Sequence, residues 1–430
     1  MGAVLQPHFC GLDFGTTNST VAVANADGAG DNAIDSIELV PVEDDKETIP
    51  SAIFFSAAGT GPMFGREAIG EYMSGEPGRL MRALKSILGH GLLHEKTLVQ
   101  RRYLEFADIL SIFLGHLKAE AERTVDQEIT HVVLGRPVQF IEDDPAADRT
   151  AQADLEAAAK GVGFEHIEFQ FEPIAAALEY ERSVKAEEIV LIVDIGGGTS
   201  DFSVVRVSPA RARQSDRSAD ILANLGIRVG GADFDRMVSM GDAMPLLGLN
   251  STYGDKKLDM PRGVYVDLST WSQINFVYER KQSLGLTSLR RQSQAPQLIE
   301  RLIRVVEERQ GHRLIGDVEQ AKIDLSADDK TRIDLGYIEP DLHVALGRKR
   351  LAKAIEPGLV RIRRCIGETV AAAGLKPAQV KTVFLTGGSA MALAVRAEVE
   401  TLFPTAKITS GDMFGSVGKG LGLDALRRFR

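Results

Sequence analysis

The sequence contains two strand–turn–strand units with the same unusual chemistry. The first is LDFGTTNSTVAV at residues 12–23, and the second is VLIVDIGGGTSDFSVV at residues 190–205. A carboxylate precedes each glycine turn: Asp13 in the first unit and Asp194 in the second, 181 positions later. An ordinary hairpin needs one or two glycines, but the second unit has three in a row and then another acid, Asp201. Two such units so far apart predict a chain made of two related halves.

Two further glycine pairs follow strand-like runs: Gly230 and Gly231 in VGGADFD, and Gly387 and Gly388 in VFLTGGSA. A glycine-rich turn lets several backbone N–H groups approach one anion, and phosphate is the usual anion. Carboxylates beside a phosphate would repel it unless a cation lies between them. Mg²⁺ prefers oxygen ligands and keeps several of its waters. We therefore predict that the acids before the two turns hold a hydrated Mg²⁺ against nucleotide phosphates clasped between the hairpins.

Two common signatures of nucleotide binding are absent, because the sequence has neither GxxxxGKS/T nor GxGxxG. A P-loop and a dinucleotide-binding Rossmann turn are therefore excluded. Each glycine hairpin, taken alone, is also compatible with a tight turn whose acids face solvent. Four glycine motifs after strands in one chain favour a shared phosphate site instead.

Size and composition indicate the broad class of protein. A chain of 430 residues exceeds one usual core, so two or more domains are expected. The net charge of −10, with acids and bases interspersed, favours neither a nucleic-acid-binding protein nor a membrane-surface protein. Cys10 and Cys365 are the two cysteines, and their separation argues against a disulfide scaffold or a structural zinc site.

The sequence also suggests a compartment. Its first residues, MGAVLQPHFCGLDFG, lack the basic segment and the long apolar core of a signal peptide. No run of about 18 apolar residues occurs, so no membrane span is predicted. We expect a cytoplasmic protein that has no membrane or nucleic-acid partner.

Apolar spacing predicts several helices and strands. Helical spacing occurs at residues 100–125, 148–160 and 348–373, and HVVLGRPV has the composition of a buried strand. A polar-rich stretch at about residues 240–345 shows helical periodicity in LIERLIRVVEERQ. Strands and helices therefore alternate along much of the chain.

At these motifs the sequence resembles the actin-like ATPase superfamily, and within it most closely the DnaK heat-shock chaperones. LDFGTTNS resembles their first phosphate motif, VDIGGGTSDFSVV the second, FEPIAAALEYE the first connecting segment and FLTGGSA the adenosine motif, in the family's order. The resemblance covers nearly the whole chain. It implies the α/β, duplicated ribonuclease H-like fold of actin-like ATPases, with two lobes of two subdomains around a nucleotide cleft.

The resemblance also implies how the chain divides and where phosphate binds. Lobe I would span residues 1–187, and lobe II residues 188–386 with a mobile inserted subdomain at about 232–340. Residues 387–430 would carry the adenosine motif and return to lobe I. The residues implied to contact phosphate are Gly15, Thr16, Thr17, Asn18, Gly196, Gly197, Gly198, Thr199, Gly230 and Gly231.

The catalytic residues are implied by the same resemblance. LKSILG carries the family's catalytic lysine at Lys85, whose cation would stabilise charge on the γ-phosphoryl group. Glu172, Thr199 and Asp201 fall where the family orients the attacking water. In this arrangement the glycines hold phosphate, Asp194 (with Asp13) serves the metal and Asp201 serves the water.

Two residues match positions that relay the nucleotide state between the lobes of the family. They are Pro137 in LGRPVQF and Arg149 in ADRTAQ. A proline directly after a strand is also common in ordinary turns. The relay is therefore implied by the resemblance alone.

Two segments would supply the nucleoside side of the site, VEQAKIDLS and FLTGGSAM. The residues implied are Glu319, Lys322, Ile323, Ser326, Gly387, Gly388, Ser389 and Met391. Ile323 and Met391 depart from the family, which usually places arginines around adenine at these positions. Cation–π stacking of about 0.5–2 kcal/mol per contact would be lost, so weaker affinity and altered base selectivity are expected.

The resemblance implies an ATPase that binds ATP or ADP with Mg²⁺, hydrolyses ATP slowly and changes its lobe closure with nucleotide state. A co-chaperone, an exchange factor or a client protein would read that state, and we expect a monomer. The chain stops at Arg430, roughly where the family's ATPase unit ends. It therefore resembles the short YegD-type members that lack a C-terminal peptide-binding domain, and peptide clamping by the usual mechanism is not expected.

Two alternatives on the same fold remain open. A small-molecule kinase needs a general base beside the acceptor hydroxyl, and Asp148 near the connecting helix is a candidate, although no sugar-binding signature accompanies it. A nucleotide-binding scaffold or filament protein without turnover would suit the missing adenine arginines. The presence of Lys85, Glu172 and Asp201 argues against that scaffold, because a degenerate site would be expected to lose some of them.

Overall fold

The computed structural model describes residues 8–25, 36–141, 144–214, 216–278, 280–410 and 415–430. No helix within those ranges is long and apolar enough to cross a bilayer. The strands are β1 (His8–Phe14), β2 (Asn18–Asn25), β3 (Ile37–Leu39), β4 (Ile49–Pro50), β5 (Ala52–Ser56), β6 (Pro62–Phe64), β7 (Gly78–Arg82), β8 (Lys96–Val99), β9 (Arg102–Glu105), β10 (His131–Arg136), β11 (His166–Phe171), β12 (Glu188–Ile195), β13 (Ser200–Val207), β14 (Ile221–Ile227), β15 (Thr252–Tyr253), β16 (Leu258–Asp259), β17 (Lys330–Asp334), β18 (His343–Gly347), β19 (Thr382–Thr386) and β20 (Lys407–Ser410). The helices are α1 (Gly65–Met73), α2 (Phe106–Val125), α3 (Pro145–Gly161), α4 (Glu172–Glu181), α5 (Gly231–Val238), α6 (Gly263–Leu268), α7 (Ile274–Val277), α8 (Arg280–Gln292), α9 (Pro296–Glu307), α10 (Gly311–Ala327), α11 (Arg348–Ala372), α12 (Leu393–Leu402) and α13 (Ser416–Phe429).

The two largest sheets have the same topology. The first has the order β11-β10-β1-β2-β3, with β4 pairing with β2, and the second has the order β14-β13-β12-β19-β20. In each sheet a central strand, β1 or β12, runs antiparallel to the next strand and parallel to a strand much later in the chain. This repeated arrangement confirms the prediction of two related halves.

The central strands are buried on both faces, which suits their apolar composition. β12 reads EIVLIVDI, and its residues 190–193 are buried. Helices α2 and α3 contribute to the core on one side of the first sheet, and α4 and α13 contribute to a core shared by both sheets. The two halves are therefore joined through α4 and α13.

Glycines let α13 approach its neighbours at backbone distance. A Cβ added to Gly420 would overlap the backbone of Ala175 in α4, and one added to Gly11 in β1 would overlap the backbone of Gly422. Such close approach is available only to a residue without a side chain. The small residues at the start of the terminal helix thus fix α13 between α4 and the first sheet.

The two halves also touch through side chains outside α4 and α13. The Tyr72 ring, on α1 of the first half, lies 5.0 Å from the ring of His312, on α10 of the second half. The Arg82 guanidinium, at the end of β7, lies 4.9 Å from the centre of the Trp271 ring. The two halves therefore meet through α4 and α13 and again through these rings.

The three helices predicted from apolar spacing are present, but two of them begin at a different residue from the one predicted. α11 covers 348–372, in agreement with the prediction. The helix expected at 100–125 begins only at Phe106, because Arg102–Glu105 pairs with Lys96–Val99 as a hairpin and the Glu105 N–H donates to Asp108 Oδ2 at 3.0 Å. The helix expected at 148–160 begins earlier, at Pro145, because Asp144 accepts hydrogen bonds from two N–H groups of its first turn.

Candidate active site

The turns of the two glycine hairpins lie against each other. A Cβ added to Gly197, in the β12–β13 turn, would lie 2.6 Å from the Thr17 Oγ1 of the β1–β2 turn. The predicted phosphate residues Gly15, Thr16 and Asn18 belong to the first turn, whose residues are half-buried. Gly198 and Thr199, at the tip of the second turn, are exposed.

A serine that sequence reasoning missed holds the first turn. Ser51 Oγ donates to the Gly15 carbonyl at 2.7 Å, and the Ser51 N–H donates to the Thr17 carbonyl at 2.8 Å. Ser19 Oγ lies 2.9 Å from Ser51 Oγ. Nothing in the local sequence distinguishes Ser51 from an ordinary serine after a short strand.

The third glycine pair packs on the second turn. The Gly231 N–H donates to the Gly196 carbonyl at 3.0 Å, and the Ala232 N–H donates to the Gly197 carbonyl at 2.7 Å. A Cβ on Gly230 would lie 2.6 Å from backbone atoms of Gly197. The start of α5 is therefore fixed directly against the turn.

The fourth glycine pair packs on a carboxylate. Gly387 has a φ of +79°, which glycine adopts without strain, and a Cβ there would lie 2.5 Å from Asp194 Oδ1. Gly388 begins a short 3₁₀ turn, Gly388–Met391. All four glycine motifs of the sequence thus meet around Asp194 and the second turn.

A lysine and several carboxylates lie beside these turns. Lys85, on the 3₁₀ turn Leu84–Ile87, donates from Nζ to Glu172 Oε1 at 2.6 Å. Glu172 is the first residue of α4. A Cβ on Gly135, at the end of β10, would lie 3.4 Å from both Asp13 Oδ1 and Glu172 Cγ. Asp13 of β1 and Glu172 of α4 therefore both lie next to Gly135.

Burial and mutual repulsion change the proton affinity of this cluster. Burial raises the pKa of Asp13 to about 7, with the Glu172 charge adding to the effect and Lys85 opposing it. Burial raises the pKa of Asp194 to about 8, with Asp201, Glu172 and Asp13 adding to it. Burial alone would lower the pKa of Lys85, but the surrounding carboxylates outweigh it and raise that pKa.

The donor set fits a hydrated cation. Within the described residues, no group of three or more His, Cys, Asp or Glu side chains is arranged to coordinate a metal directly. Burial, with repulsion from the neighbouring acids added to it, nevertheless favours protonation of Asp13 and Asp194 near neutral pH. A Mg²⁺ that keeps its waters would relieve this repulsion without direct ligation.

At the start of α5, two predicted nucleoside residues, Lys322 and Ser389, lie against Gly231. Lys322 Nζ lies 2.8 Å from Asp235 Oδ1 and donates to the Gly231 carbonyl at 3.3 Å. A Cβ on Gly231 would overlap Ser389 Oγ. Asp235 was missed as a partner, although GGADFD contains it. Burial raises the pKa of Asp235 to about 6, and Lys322 opposes that rise.

The four residues of α10 that are implied to contact the nucleoside share one face of that helix. Glu319, Lys322, Ile323 and Ser326 have the i, i+3, i+4, i+7 spacing of one helix face. Ile323 is 51% exposed on that face. Met391 ends the 3₁₀ turn that carries Ser389 and is half-buried. The site therefore presents apolar side chains at both positions where the resemblance implies arginines.

The two residues predicted to relay the nucleotide state, Pro137 and Arg149, lie in different surroundings. Pro137 lines a small cavity together with Glu172, Asp194 and Asp201. Arg149 is exposed on α3. Arg136 holds the segment after β10, because its Nε donates to the Pro137 carbonyl at 3.0 Å.

Asp148, the candidate base of the kinase alternative, is already engaged. Its Oδ2 lies 3.0 Å from Arg136 Nη2, and its Oδ1 accepts from the Phe140 N–H at 2.6 Å. A carboxylate that holds an arginine and caps a backbone N–H is poorly placed to accept a substrate proton. The geometry therefore favours a structural role for Asp148.

Comparison with known proteins identifies the family to which the chain belongs. A model of the Hsp70 protein family matches residues 93–240 and 301–417. The chaperone protein DnaK of Thermosipho africanus (strain TCF52B) is 26% identical over 415 residues, which cover 93% of this chain and 55% of that protein. The chaperone protein DnaK of Thermosipho melanesiensis (strain DSM 12029 / CIP 104789 / BI429) is also 26% identical over 415 residues, with the same 93% and 55% coverage. The chain thus spans about half the length of these relatives. It belongs to the Hsp70 family, and its duplicated α/β architecture is the actin-like ATPase fold.

Proposed function

We propose that the chain binds Mg²⁺–ATP between the β1–β2 and β12–β13 turns and hydrolyses it slowly. The observation that carries this proposal is the Lys85–Glu172 pair, 2.6 Å apart, beside the acids Asp13 and Asp194. An ammonium group among half-buried carboxylates and glycine turns suits a polyanion that arrives with a divalent cation. Family membership supports the same activity, because the relatives are chaperones of the DnaK type.

The catalytic roles follow from position. Lys85 stabilises the charge that develops on the γ-phosphoryl oxygens, and Glu172 holds the Lys85 ammonium in place. Asp201 and Thr199, at the second turn, orient the attacking water. Asp201 lines the same cavity as Glu172, which supports a shared task.

The binding roles divide between the turns and the acids. Backbone N–H groups of the two turns hold the phosphates, because their glycines leave the backbone accessible. Asp13 and Asp194 would hold a hydrated Mg²⁺, which would neutralise phosphate charge. Ile323 and Met391 contact the base through apolar surface, so the affinity for nucleotide is weaker than an arginine pair would give.

Nucleotide state would act on the protein through lobe closure. The Tyr72–His312 and Arg82–Trp271 contacts link the two halves, which supports a role for these contacts in closure. A partner such as a co-chaperone, an exchange factor or a client reads that closure. This output is proposed from the family and from the two-lobed architecture.

Calorimetry and phosphate release test the proposal together. We expect ATP and ADP to bind with one-to-one stoichiometry, with tighter binding in the presence of Mg²⁺, and we expect slow phosphate release from ATP. ADP formation that a panel of sugars does not stimulate would count against the kinase alternative, because a kinase forms ADP while it transfers the phosphoryl group to its acceptor. Binding without release, together with Mg²⁺–ATP-dependent sedimentation of large assemblies, would contradict the ATPase and support a scaffold or filament.

A further inference from the structure

An arginine that precedes Lys85 contacts the other half of the molecule. Arg82 is the last residue of β7, and Lys85 follows three positions later on the 3₁₀ turn Leu84–Ile87. The guanidinium carbon of Arg82 lies 4.9 Å from the centre of the Trp271 ring, which belongs to the second half. No carboxylate of a described residue lies within ion-pair distance of this guanidinium. The indole ring therefore holds Arg82 across the boundary between the halves.

The Trp271 ring is itself held in place within the second half. It opens the 3₁₀ turn Trp271–Gln273, and it lies 4.8 Å, edge to face, from the ring of the buried His312 on α10. Among the aromatic side chains, tryptophan attracts a cation most strongly to its face. Burial lowers the pKa of Arg82, and the charge of Glu319 on α10 opposes that change. The half-buried cation is therefore stabilised by an aromatic ring and a carboxylate that both belong to the second half.

The next residue, Ala83, has a backbone conformation that alanine disfavours. Its φ of 57° and ψ of 37° lie in the left-handed region. Such a conformation persists only where the surroundings impose it, and it is found most often at functional positions. On one side Arg82 pairs with Ala52 of β5. On the other, Leu84 is buried in the core of the first half, and Ser86 donates to the Ala83 carbonyl from its N–H at 3.0 Å and from its Oγ at 2.7 Å. Ala83 is thus fixed between the end of β7 and the turn that carries the lysine.

The position of Lys85 depends on this strained turn. Its Nζ donates to Glu172 Oε1 at 2.6 Å, so the turn has to direct the side chain to one point. In enzymes, a misplacement of about 1 Å can lower a rate by about 100-fold. Only Ala83 and Leu84 separate Arg82 from the lysine. A displacement of Arg82 therefore changes the direction in which the ammonium group projects.

We propose that Arg82 is a positioning residue for Lys85, and that its stacking on Trp271 makes the placement of the lysine depend on contact between the two halves. Stacking keeps the end of β7 and the strained turn in the conformation that directs Lys85 to Glu172. Separation of the halves removes the ring, the turn relaxes and the ammonium group leaves the phosphate site, so hydrolysis is confined to the closed protein. The inference rests on the proposed ATPase and adds to it the residue through which closure acts.

Single-turnover hydrolysis and calorimetry on the full chain separate positioning from binding. Arg82→Ala and Trp271→Ala should each lower the rate of phosphate release at saturating Mg²⁺–ATP about 10-fold, because the lysine is misplaced. The affinity for ATP should change less than about two-fold, since the lost interaction acts on the transition state. The double variant should be no slower than either single variant, because both remove the same contact. Trp271→Tyr, which keeps an aromatic face for the cation, should stay within about three-fold of the wild-type rate.

A second background tests whether Arg82 acts through Lys85. In Lys85→Ala, whose residual rate is followed with radiolabelled ATP, Arg82→Ala should cause no further loss, because the lysine that it positions is absent. Arg313→Ala is the matched control, since the Arg313 guanidinium lies 4.0 Å from the centre of the Tyr337 ring within the second half. It removes a cation–ring contact that does not join the halves, and it should hydrolyse ATP at the wild-type rate.

Hydrogen exchange gives a readout that does not need turnover. The Ser86 N–H is hydrogen-bonded inside the turn, so mass spectrometry of peptides covering residues 82–88 should show faster exchange in Arg82→Ala and Trp271→Ala than in the wild type and Arg313→Ala, without nucleotide. Trp271 is the single tryptophan of the sequence, so stronger acrylamide quenching of its fluorescence in Arg82→Ala verifies the stacking. Circular dichroism verifies that each variant folds, and Trp271→Ala carries the test if Arg82→Ala does not fold.

Several results would overturn the proposal. These are wild-type phosphate release by both alanine variants, losses that add in the double variant, a further loss in the Lys85→Ala background, or unchanged exchange of residues 82–88. A loss of ATP affinity at an unchanged saturating rate would assign Arg82 to nucleotide binding instead. A wild-type protein that releases no phosphate would refute the proposed ATPase. Faster exchange of residues 82–88 in the two variants would then still support the dependence of the turn on the second half.

Discussion

The two glycine hairpins share a scaffold and differ in what stands opposite their acids. In β1–β2 the residue paired with Asp13 is Thr20, and in β12–β13 the residue paired with Asp194 is Asp201. The second hairpin therefore carries two facing carboxylates, and Asp201 is the strongest charge that raises the pKa of Asp194. The two hairpins have the same topology, but the first places a single acid at this pair of positions and the second places two.

The glycines of the two turns differ in a parallel way. A Cβ on Gly15 would overlap the carbonyl of Asn18 in its own turn, whereas a Cβ on Gly197 would meet Thr17 of the other turn. Gly198 has nothing within 4 Å of its added Cβ. The first turn therefore needs glycine to form, and the second needs it to approach its counterpart.

Among the variants that compare the two hairpins, the largest effect is expected when Asp201, which pairs with Asp194, is replaced by threonine, the residue type that pairs with Asp13 in the first hairpin. Asp201→Thr leaves the turn but removes the acid that we propose orients the water, so single-turnover hydrolysis of ATP should fall about 100-fold. ATP affinity by calorimetry should change little. Asp201→Asn, which keeps the size of the side chain, should show the same loss. Wild-type turnover in both variants would show that Asp201 has no role in the chemistry.

The glycine comparison is tested by the free energy of unfolding in urea. Gly15→Ala and Gly197→Ala should each lower it by about 1–3 kcal/mol, since both create overlaps that the surroundings must relieve. Gly198→Ala is the matched control and should stay within about 0.5 kcal/mol of wild type. Equal values for all three variants would contradict the close contact between the turns.

The raised pKa values predict how stability depends on pH. The folded protein keeps protons on Asp13 up to about pH 7 and on Asp194 up to about pH 8, whereas in the unfolded chain both titrate near 3.8. Between about pH 4 and pH 8 these acids therefore destabilise the fold increasingly as pH rises. Asp194→Asn should raise the free energy of unfolding by about 1–2 kcal/mol more at pH 8 than at pH 5, measured in urea without Mg²⁺. A difference that is independent of pH would contradict the raised pKa.

The smallest expected effect is on the affinity for ATP, through contacts with the adenine base. Ile323→Arg restores a cation on the exposed face of α10, and cation–π stacking should strengthen ATP binding about 3- to 10-fold by calorimetry. Val360→Arg, at a 48% exposed position on α11, controls for added charge. Equal gains in the two variants would indicate a general charge effect, with no stacking on adenine.

Much of the fold could be predicted from the sequence, because its strands and helices follow from local patterns of residues. The two hairpins are visible as apolar runs around glycine turns, and the topology confirms the duplication they predict. The α10 face is visible as helical spacing. The helix predicted from residue 100 was wrong at its start, because helical spacing continues through residues that pair as β9.

The contacts that build the site could not be read in the same way. Ser51 supports Gly15 across 36 positions, and Lys85 meets Glu172 across 87 positions. No local pattern encodes either contact, and Lys85 was singled out only through resemblance to a family. Arg136, which holds the Pro137 segment, has the appearance of an ordinary strand-end arginine. Long-range packing decides which of many polar side chains face the cleft.

Single-turnover hydrolysis of Mg²⁺–ATP by the wild type and by Lys85→Ala tests the central claim most directly. If the Lys85–Glu172 pair lies at the γ-phosphoryl group, phosphate release should fall at least 100-fold in the variant, while ATP still binds. Lys96→Ala, which removes an exposed lysine of the β8–β9 hairpin, should hydrolyse ATP at the wild-type rate. Equal phosphate release by Lys85→Ala and the wild type would contradict the assignment of the active site to these turns.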